Sequence, residues 1–419
     1  MSTLYIVLGI IVIIGTIYFL IKRVEARMVL FASGLLMCIL AGQPMAAFDA
    51  FASRMTAAGL IQAILSVMGF AFVMKYTECD KHMVHLIGGG LKKVGGFLIP
   101  TAVILTFLIN IALPSAAGTA AAVGAIFIPI LMAAGVHPAT AAAAVFAGTF
   151  GSMLNPGNAH NPFVGELAGI ESMDVISVHS VATISSGIIA AIVLFIVAIV
   201  TKEHKGYVPD TMENAEAFGK VNLLYAIVPI LPVVLLVLGS TVVPALEMGV
   251  PHAMLIGALI ALIVTRKSPT KLTQEFFNGM GKAYANVMGI IITASVFVAG
   301  MNAVGLIDAF INAMTNSPAI VNICAAFGPF LLAVVCGSGD AATFAFNEAV
   351  TPFAEQFGVP IANMGAMAAL GGALGRSMSP IAGAAIVCAG IANVNPMELA
   401  KRNAPGMIIA TIVSMIILL

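Results

Sequence analysis

Gly337-Ser338-Gly339-Asp340-Ala341-Ala342-Thr343 cuts a long apolar run in two, and Gly375-Arg376-Ser377-Met378-Ser379-Pro380 cuts the next one. Neither run reads as a plain membrane-crossing helix. Glycine and proline weaken or stop helices. Non-helical backbone survives at membrane depth only where it is buried in protein or lines a cavity. The same pair of interruptions occurs earlier, at Pro114-Ser115-Ala116-Ala117-Gly118-Thr119 and at Gly151-Ser152-Met153-Leu154-Asn155-Pro156-Gly157-Asn158. Each break exposes free N–H groups at the positive end of a helix dipole. Four such ends meeting at mid-membrane form an anion site that needs few formal charges.

The broken regions, 96–170 and 319–391, match each other at a nearly constant offset. Ser115 pairs with Ser338, Pro129 with Pro352, Gly135-Val136 with Gly358-Val359 and Gly148 with Gly371. After a one-residue gap Gly151 pairs with Gly375 and Pro156 with Pro380. With the gap reversed, Ala168-Gly169-Ile170 pairs with Ala389-Gly390-Ile391. The reading is a duplication: residues 1–200, a polar cytoplasmic linker at 201–221, and residues 222–419.

Around the breaks the chain is lipid-soluble. It has 419 residues, 61% hydrophobic and 9% charged, against roughly 25% charged in soluble domains. Spans are expected near 4–21, 28–42, 55–74, 181–200, 222–240, 250–265, 280–304 and 404–419. The expected fold is an all-α membrane protein: two inverted repeats of roughly five transmembrane helices, each with a re-entrant helical hairpin and a broken helix.

Charge sets the orientation. The basic loop KRVEAR (22–27) has no basic counterpart around Pro244-Ala245-Leu246-Glu247, whereas TRKSPTK (265–271) is matched by GQPMAAFD (42–49), which carries no Lys or Arg. With both termini outside, every Lys and Arg except Arg54 and Arg376 falls on the cytoplasmic side, as the positive-inside rule requires. No basic segment precedes the first apolar run, so a cleaved signal peptide is not expected.

The expected substrate-binding set is Ser115, Gly118, Thr119, Asn155, Asn158, Ser338, Gly339, Thr343, Arg376, Ser377 and Ser379: helix-end backbone, hydroxyls, two amides and one guanidinium. A charge at bilayer depth costs about 2.5–3.5 kcal/mol on lenient scales, so Arg376 must be paired or face water. It either clamps a substrate carboxylate or pairs with Asp340. Asp340 in turn is a cation-coupling carboxylate, the partner of Arg376, or a helix cap. Glu348 lines the site or is a hydrogen-bonded buried acid. His160 and Glu166 read as interface residues, and His82 and His85 as part of an interfacial helix.

Net charge is zero, which argues against nucleic acid as a partner, and the scattered cysteines (Cys38, Cys79, Cys324, Cys336, Cys388) show no ligand spacing for a metal. There is no HExxH, nucleophile elbow, Walker loop or Rossmann fingerprint, so an enzyme is not expected. No cofactor is implied beyond a coupling sodium ion or proton.

Gly337-Ser338-Gly339-Asp340 through Phe346, then Gly375-Arg376-Ser377-Met378-Ser379-Pro380, Ala389-Gly390-Ile391 and Lys401-Arg402, resemble the anaerobic C4-dicarboxylate carrier (DcuC) family of the ion transporter superfamily. The tip at 114–119 fits it too. The resemblance is sharpest over 330–405. It implies uptake, efflux or exchange of succinate, fumarate or malate across a bacterial inner membrane. It also implies a scaffold and a moving transport unit, often in a homodimer, with elevator-type alternating access. On the same scaffold the alternatives are a carrier of another small organic anion or amino acid, or a cation/proton antiporter.

Overall fold

A computed structural model of the chain describes residues 3–89, 91, 95–208, 220–315 and 318–419. Of the linker expected at 201–221, residues 209–219 lie outside them. Every described element is helical. The first half runs α1 (Thr3–Ile21), α2 (Ala26–Leu40), α3 (Pro44–Arg54), α4 (Ala58–Thr77), α5 (Cys79–Gly88), α6 (Leu98–Ala112), α7 (Ala116–Ala133), α8 (Pro138–Ala147), α9 (His160–Ala168) and α10 (Ser172–Val200). The second runs α11 (Leu223–Ile227) and α12 (Leu231–Thr241), α13 (Val250–Thr265), α14 (Pro269–Ala283), α15 (Gly289–Ala303) and α16 (Leu306–Thr315). It closes with α17 (Pro318–Cys336), α18 (Gly339–Ala349), α19 (Ile361–Arg376), α20 (Gly383–Ala392) and α21 (Pro396–Leu418).

Among the described residues eight helical segments are long and apolar enough to cross a membrane: 4–21, 58–77, 95–112, 116–133, 172–200, 223–241, 269–303 and 396–418. Many of their large apolar side chains point outward, such as Ile11, Ile14, Ile196 and Ile416. With no water to replace lipid there, that surface is stable only in a bilayer. The chain is a multi-pass membrane protein. Each expected span falls on helical residues; most ends shift by a few residues, but the segments expected at 181–200, 280–304 and 404–419 begin earlier, at Ser172, Pro269 and Pro396. Among the described residues α3, α14 and α16 lie wholly or mostly outside the expected spans. The first two begin at a proline, Pro44 and Pro269, which is pre-set for the first helical turn.

Helix contacts divide the chain into two packed groups. One holds α1–α4 and α11–α15, where α15 packs on α2 and α3 while α4 packs on α13 and α14. The other holds α6–α10 and α17–α21, built around one large apolar core and the long α10–α21 contact. In sequence, α5 and α16 carry the chain from the first group to the second. Within the second group the two halves repeat the same backbone contacts. A Cβ on Gly148 would lie 2.6 Å from the Val103 carbonyl oxygen, and on Gly371 2.4 Å from that of Ala326. On Gly151 it would lie 2.0 Å from the Phe107 carbonyl oxygen, and on Gly375 2.1 Å from that of Phe330. Real Cβ atoms do not fit at such distances, so α6 and α17 are each held against glycine-lined backbone. That is how small residues bring helices together where burial from water gives no drive.

Candidate functional site

All four sequence breaks meet at one cavity of about 350 Å³. The turn between α6 and α7 contributes Pro114, Ser115, Ala116 and Ala117. The turn between α17 and α18 contributes Gly337, Ser338, Gly339 and Asp340. Ser152, Met153 and Asn158 come from the first helix break, and Arg376 from the end of α19. The opposite wall belongs to the other packed group: Ile64, Val67 and Met68 of α4, and Val287. Val287 sits in a single π-helical turn, Tyr284–Met288, between α14 and α15. Such bulges interrupt the normal hydrogen-bond ladder and recur at functional sites. Here Arg27 donates to the carbonyl of Ala285 at 2.6 Å.

Four helices begin at this cavity, α7, α9, α18 and α20, since Ala116, His160, Gly339 and Gly383 all line it. The positive ends of their helix dipoles give it partial positive charge. Ser115 caps α7, its Oγ accepting from the N–H of Gly118 at 3.1 Å. Ser338 precedes α18 in extended backbone without a side-chain cap bond, which leaves its hydroxyl to the cavity.

Arg376 is the cation of the site. Its Nη2 donates to the carbonyl of Thr149 at 3.0 Å, and among the described residues it forms no ion pair. A guanidinium has five N–H donors, so most of the fork is left over. Asp340 is not its partner. Asp340 Oδ1 instead meets His160 Nε2 at 3.2 Å, and the His160 ring stacks on Phe344 with centroids 4.6 Å apart. The carboxylate accepts only, so Nε2 carries the proton. The Asp340 side chain remains 50% exposed into the cavity.

Of the expected residues, Ser115, Asn158, Ser338, Gly339, Asp340 and Arg376 line the cavity. The others stand behind it. Thr119 donates to the Leu113 carbonyl at 2.9 Å and accepts from Asn110. Asn155 braces the first break, donating to Ile111 and accepting from Gly157 N–H at 2.8 Å. Ser377 and Ser379 donate to the carbonyls of Ala373 and Val334. Thr343 is fully buried, and its hydroxyl has no hydrogen-bond partner. Gly118 is exposed next to the α7 cap.

Sequence reasoning put His160 at an interface, whereas the structure places it in the cavity wall. The available signal was its place just after a helix break, where a new helix starts. Asn110 was also missed: it is buried in α6, donates to Leu113 and Thr119, and accepts from Ser152 N–H, tying the first tip to the first break. Glu166 and Glu348 both bind Arg54, at 2.5 and 3.0 Å, so Glu348 is a paired acid and not part of the cavity.

The model of the DcuC family, the C4-dicarboxylate anaerobic carriers, matches residues 4–419. An uncharacterised transporter of Haemophilus influenzae is 48% identical over 272 residues, covering 62% of this chain and 98% of that one. The anaerobic C4-dicarboxylate transporter DcuC of Escherichia coli K12 is 24% identical over 443 residues, covering 97% and 94%. Among solved structures the chain is similar to MtrF of Neisseria gonorrhoeae, described as one of a class of antimetabolite efflux pumps (TM-score 0.65, 15% identity, 91% of this chain and 85% of that one). It is also similar to the YdaH transporter of Alcanivorax borkumensis (TM-score 0.64, 15% identity, 88% and 87%).

Proposed function

Since the chain belongs to the C4-dicarboxylate anaerobic carrier family, we propose that it is a secondary transporter of C4-dicarboxylates such as succinate, fumarate and malate. It works by exchange or by cation coupling in a bacterial inner membrane. The observation that carries this reading is Arg376, a guanidinium with unused donors in a cavity where four helices begin. One substrate carboxylate takes the Arg376 fork. The other takes the N–H groups at the α7 tip, with Ser115, Ser338 and Asn158 as neutral donors. Asp340, held by His160, is the seat of the coupling cation, a sodium ion or proton.

The two packed groups support a reading of alternating access. The α6–α10 and α17–α21 group carries the site and slides as a body along the α4 and α15 wall. The halves are inverted repeats, the α6–α7 and α17–α18 turns are re-entrant tips, and both termini lie outside. A homodimer would hold the scaffold groups fixed.

The test is uptake of labelled succinate into proteoliposomes loaded with unlabelled fumarate or left empty, with and without sodium and proton gradients. Saturable uptake that Arg376→Ala abolishes supports the reading. No uptake under any of these conditions removes C4-dicarboxylates as substrates.

A further inference from the structure

The cavity carries an anion as well as a cation, and a plain dicarboxylate leaves that anion without a role in recognition. Arg376 and Asp340 both line it, so one formal charge of each sign faces the cavity. Succinate would bring two negative charges beside an exposed carboxylate. The helix N-termini offset this only in part, at about half a charge each, and α17 and α19 end at the same cavity with the opposite sign. Asp340 is also half prepared for a second partner. His160 engages Oδ1, while among the described residues Oδ2 accepts no hydrogen bond and the side chain is 50% exposed to the cavity. A carboxylate held on one oxygen and open on the other is a receptor for a positively charged donor.

We propose that the site recognises an ammonium group together with the carboxylates, so that its preferred substrate is a C4-dicarboxylate bearing a 2-amino group. This rests on the dicarboxylate reading and narrows it. One carboxylate binds Arg376, the other the α7 N-terminus, and the ammonium donates to Asp340 Oδ2. The substrate then supplies the cation that succinate must borrow from solution. Arg54, Glu166 and Glu348 form a separate charged cluster whose members pair with one another, and none of the three lines the cavity. The apolar wall of Ile64, Val67, Met68 and Val287 faces the methylene and excludes water from the ion pairs.

Aspartate and malate differ here only in an ammonium against a hydroxyl, so they form the deciding pair. Competition of each with labelled succinate is measured in proteoliposomes of the wild-type chain, and aspartate should compete about tenfold or more better than malate. In Asp340→Asn the ratio of aspartate to malate affinity should fall by a similar factor. Aspartate uptake should also persist without a sodium or proton gradient. Succinate uptake with malate competing as well as or better than aspartate would overturn the inference and leave the dicarboxylate reading standing. An unchanged ratio in a folded Asp340→Asn protein would likewise overturn it. Uptake of none of the three acids would overturn both.

Discussion

The two tip-and-break regions share their backbone and differ in their chemistry. In the alignment of the halves Ala117 stands where Asp340 does, and Ser152 where Arg376 does, and all four line the cavity. The first region is neutral and tightly braced: Asn110, Asn155 and Asn161 tie its tip, its break and the start of α9 together by hydrogen bonds to backbone. The second region holds both formal charges and leaves polar capacity unspent, in the Arg376 fork, the Asp340 Oδ2 and the orphan hydroxyl of Thr343. The close glycine contacts on α6 and α17 are nonetheless the same on both sides. One half is therefore the more braced and the other holds the free polar groups, on a common packing plan; under the proposed function the second would carry recognition.

The largest effect should break what the halves share. Gly151→Val and Gly375→Val each force a side chain into a carbonyl oxygen about 2 Å away. Overpacking of this kind costs about 1–3 kcal/mol or more. Both variants should lose monodisperse protein in detergent to a similar degree; a large difference between them would end the idea of equivalent packing. Next comes what they do not share. Arg376→Ser makes the second break like the first and should lower dicarboxylate transport at least a hundredfold. Ser152→Ala should change it by less than about tenfold, since a neutral hydrogen bond is worth only about 0.5–1.5 kcal/mol. Equal losses at the two positions would contradict the division of labour.

A third effect concerns how both regions are fastened to α3. Arg54 of α3 bridges Glu166 of α9 and Glu348 of α18, and its guanidinium lies 5.1 Å from the Phe163 ring centroid. Arg54→Ala leaves two acids facing each other. The loss should sit near the lower end of the about 3–5 kcal/mol seen for broken buried pairs, because Glu166 is 39% exposed. Thermal unfolding would show it, and Glu348→Gln in the same chain should recover part of it.

The smallest effect is in pH dependence. Glu203, just beyond α10, is bound by Arg402 and Thr140. Burial pushes its carboxyl up, but the bonds from Arg402 and Thr140 outweigh this and hold it below the ordinary carboxylate value. A carboxyl depressed in the folded state stabilises above its unfolded value, and that contribution disappears as pH falls through the folded one. Wild-type unfolding temperature should therefore drop in acid below about pH 4, and Glu203→Gln should flatten that drop. An identical acid profile in the variant would exclude Glu203 as its source.

Much of this architecture was legible in the order of residues. The four breaks announce themselves because Gly, Pro, Ser and Asn in a 61% hydrophobic chain have few other uses. Arg376 and Asp340 were readable because charge within apolar runs is costly. What could not be read was which polar residue meets which. Thr119, Asn155, Ser377 and Ser379 look like cavity donors in sequence, yet Thr119, Asn155 and Ser379 satisfy backbone freed by the breaks and Ser377 bonds back to the Ala373 carbonyl of its own helix. His160 looks peripheral, yet it holds Asp340.

Local chemistry, then, determined by itself where helices stop, which surfaces meet lipid, and that the chain is a multi-pass membrane protein with polar breaks at its centre. Those properties depend on residues close together along the chain and on the solvent they tolerate. Only the tertiary structure decided that His160 and not Arg376 pairs with Asp340, and that Arg54 gathers Glu166 and Glu348. Only it showed that α4 and the π-helical turn before α15 complete the cavity with an apolar wall. These depend on groups hundreds of residues apart reaching a few ångströms, a distance set by how glycine-lined helices pack and not by any local preference.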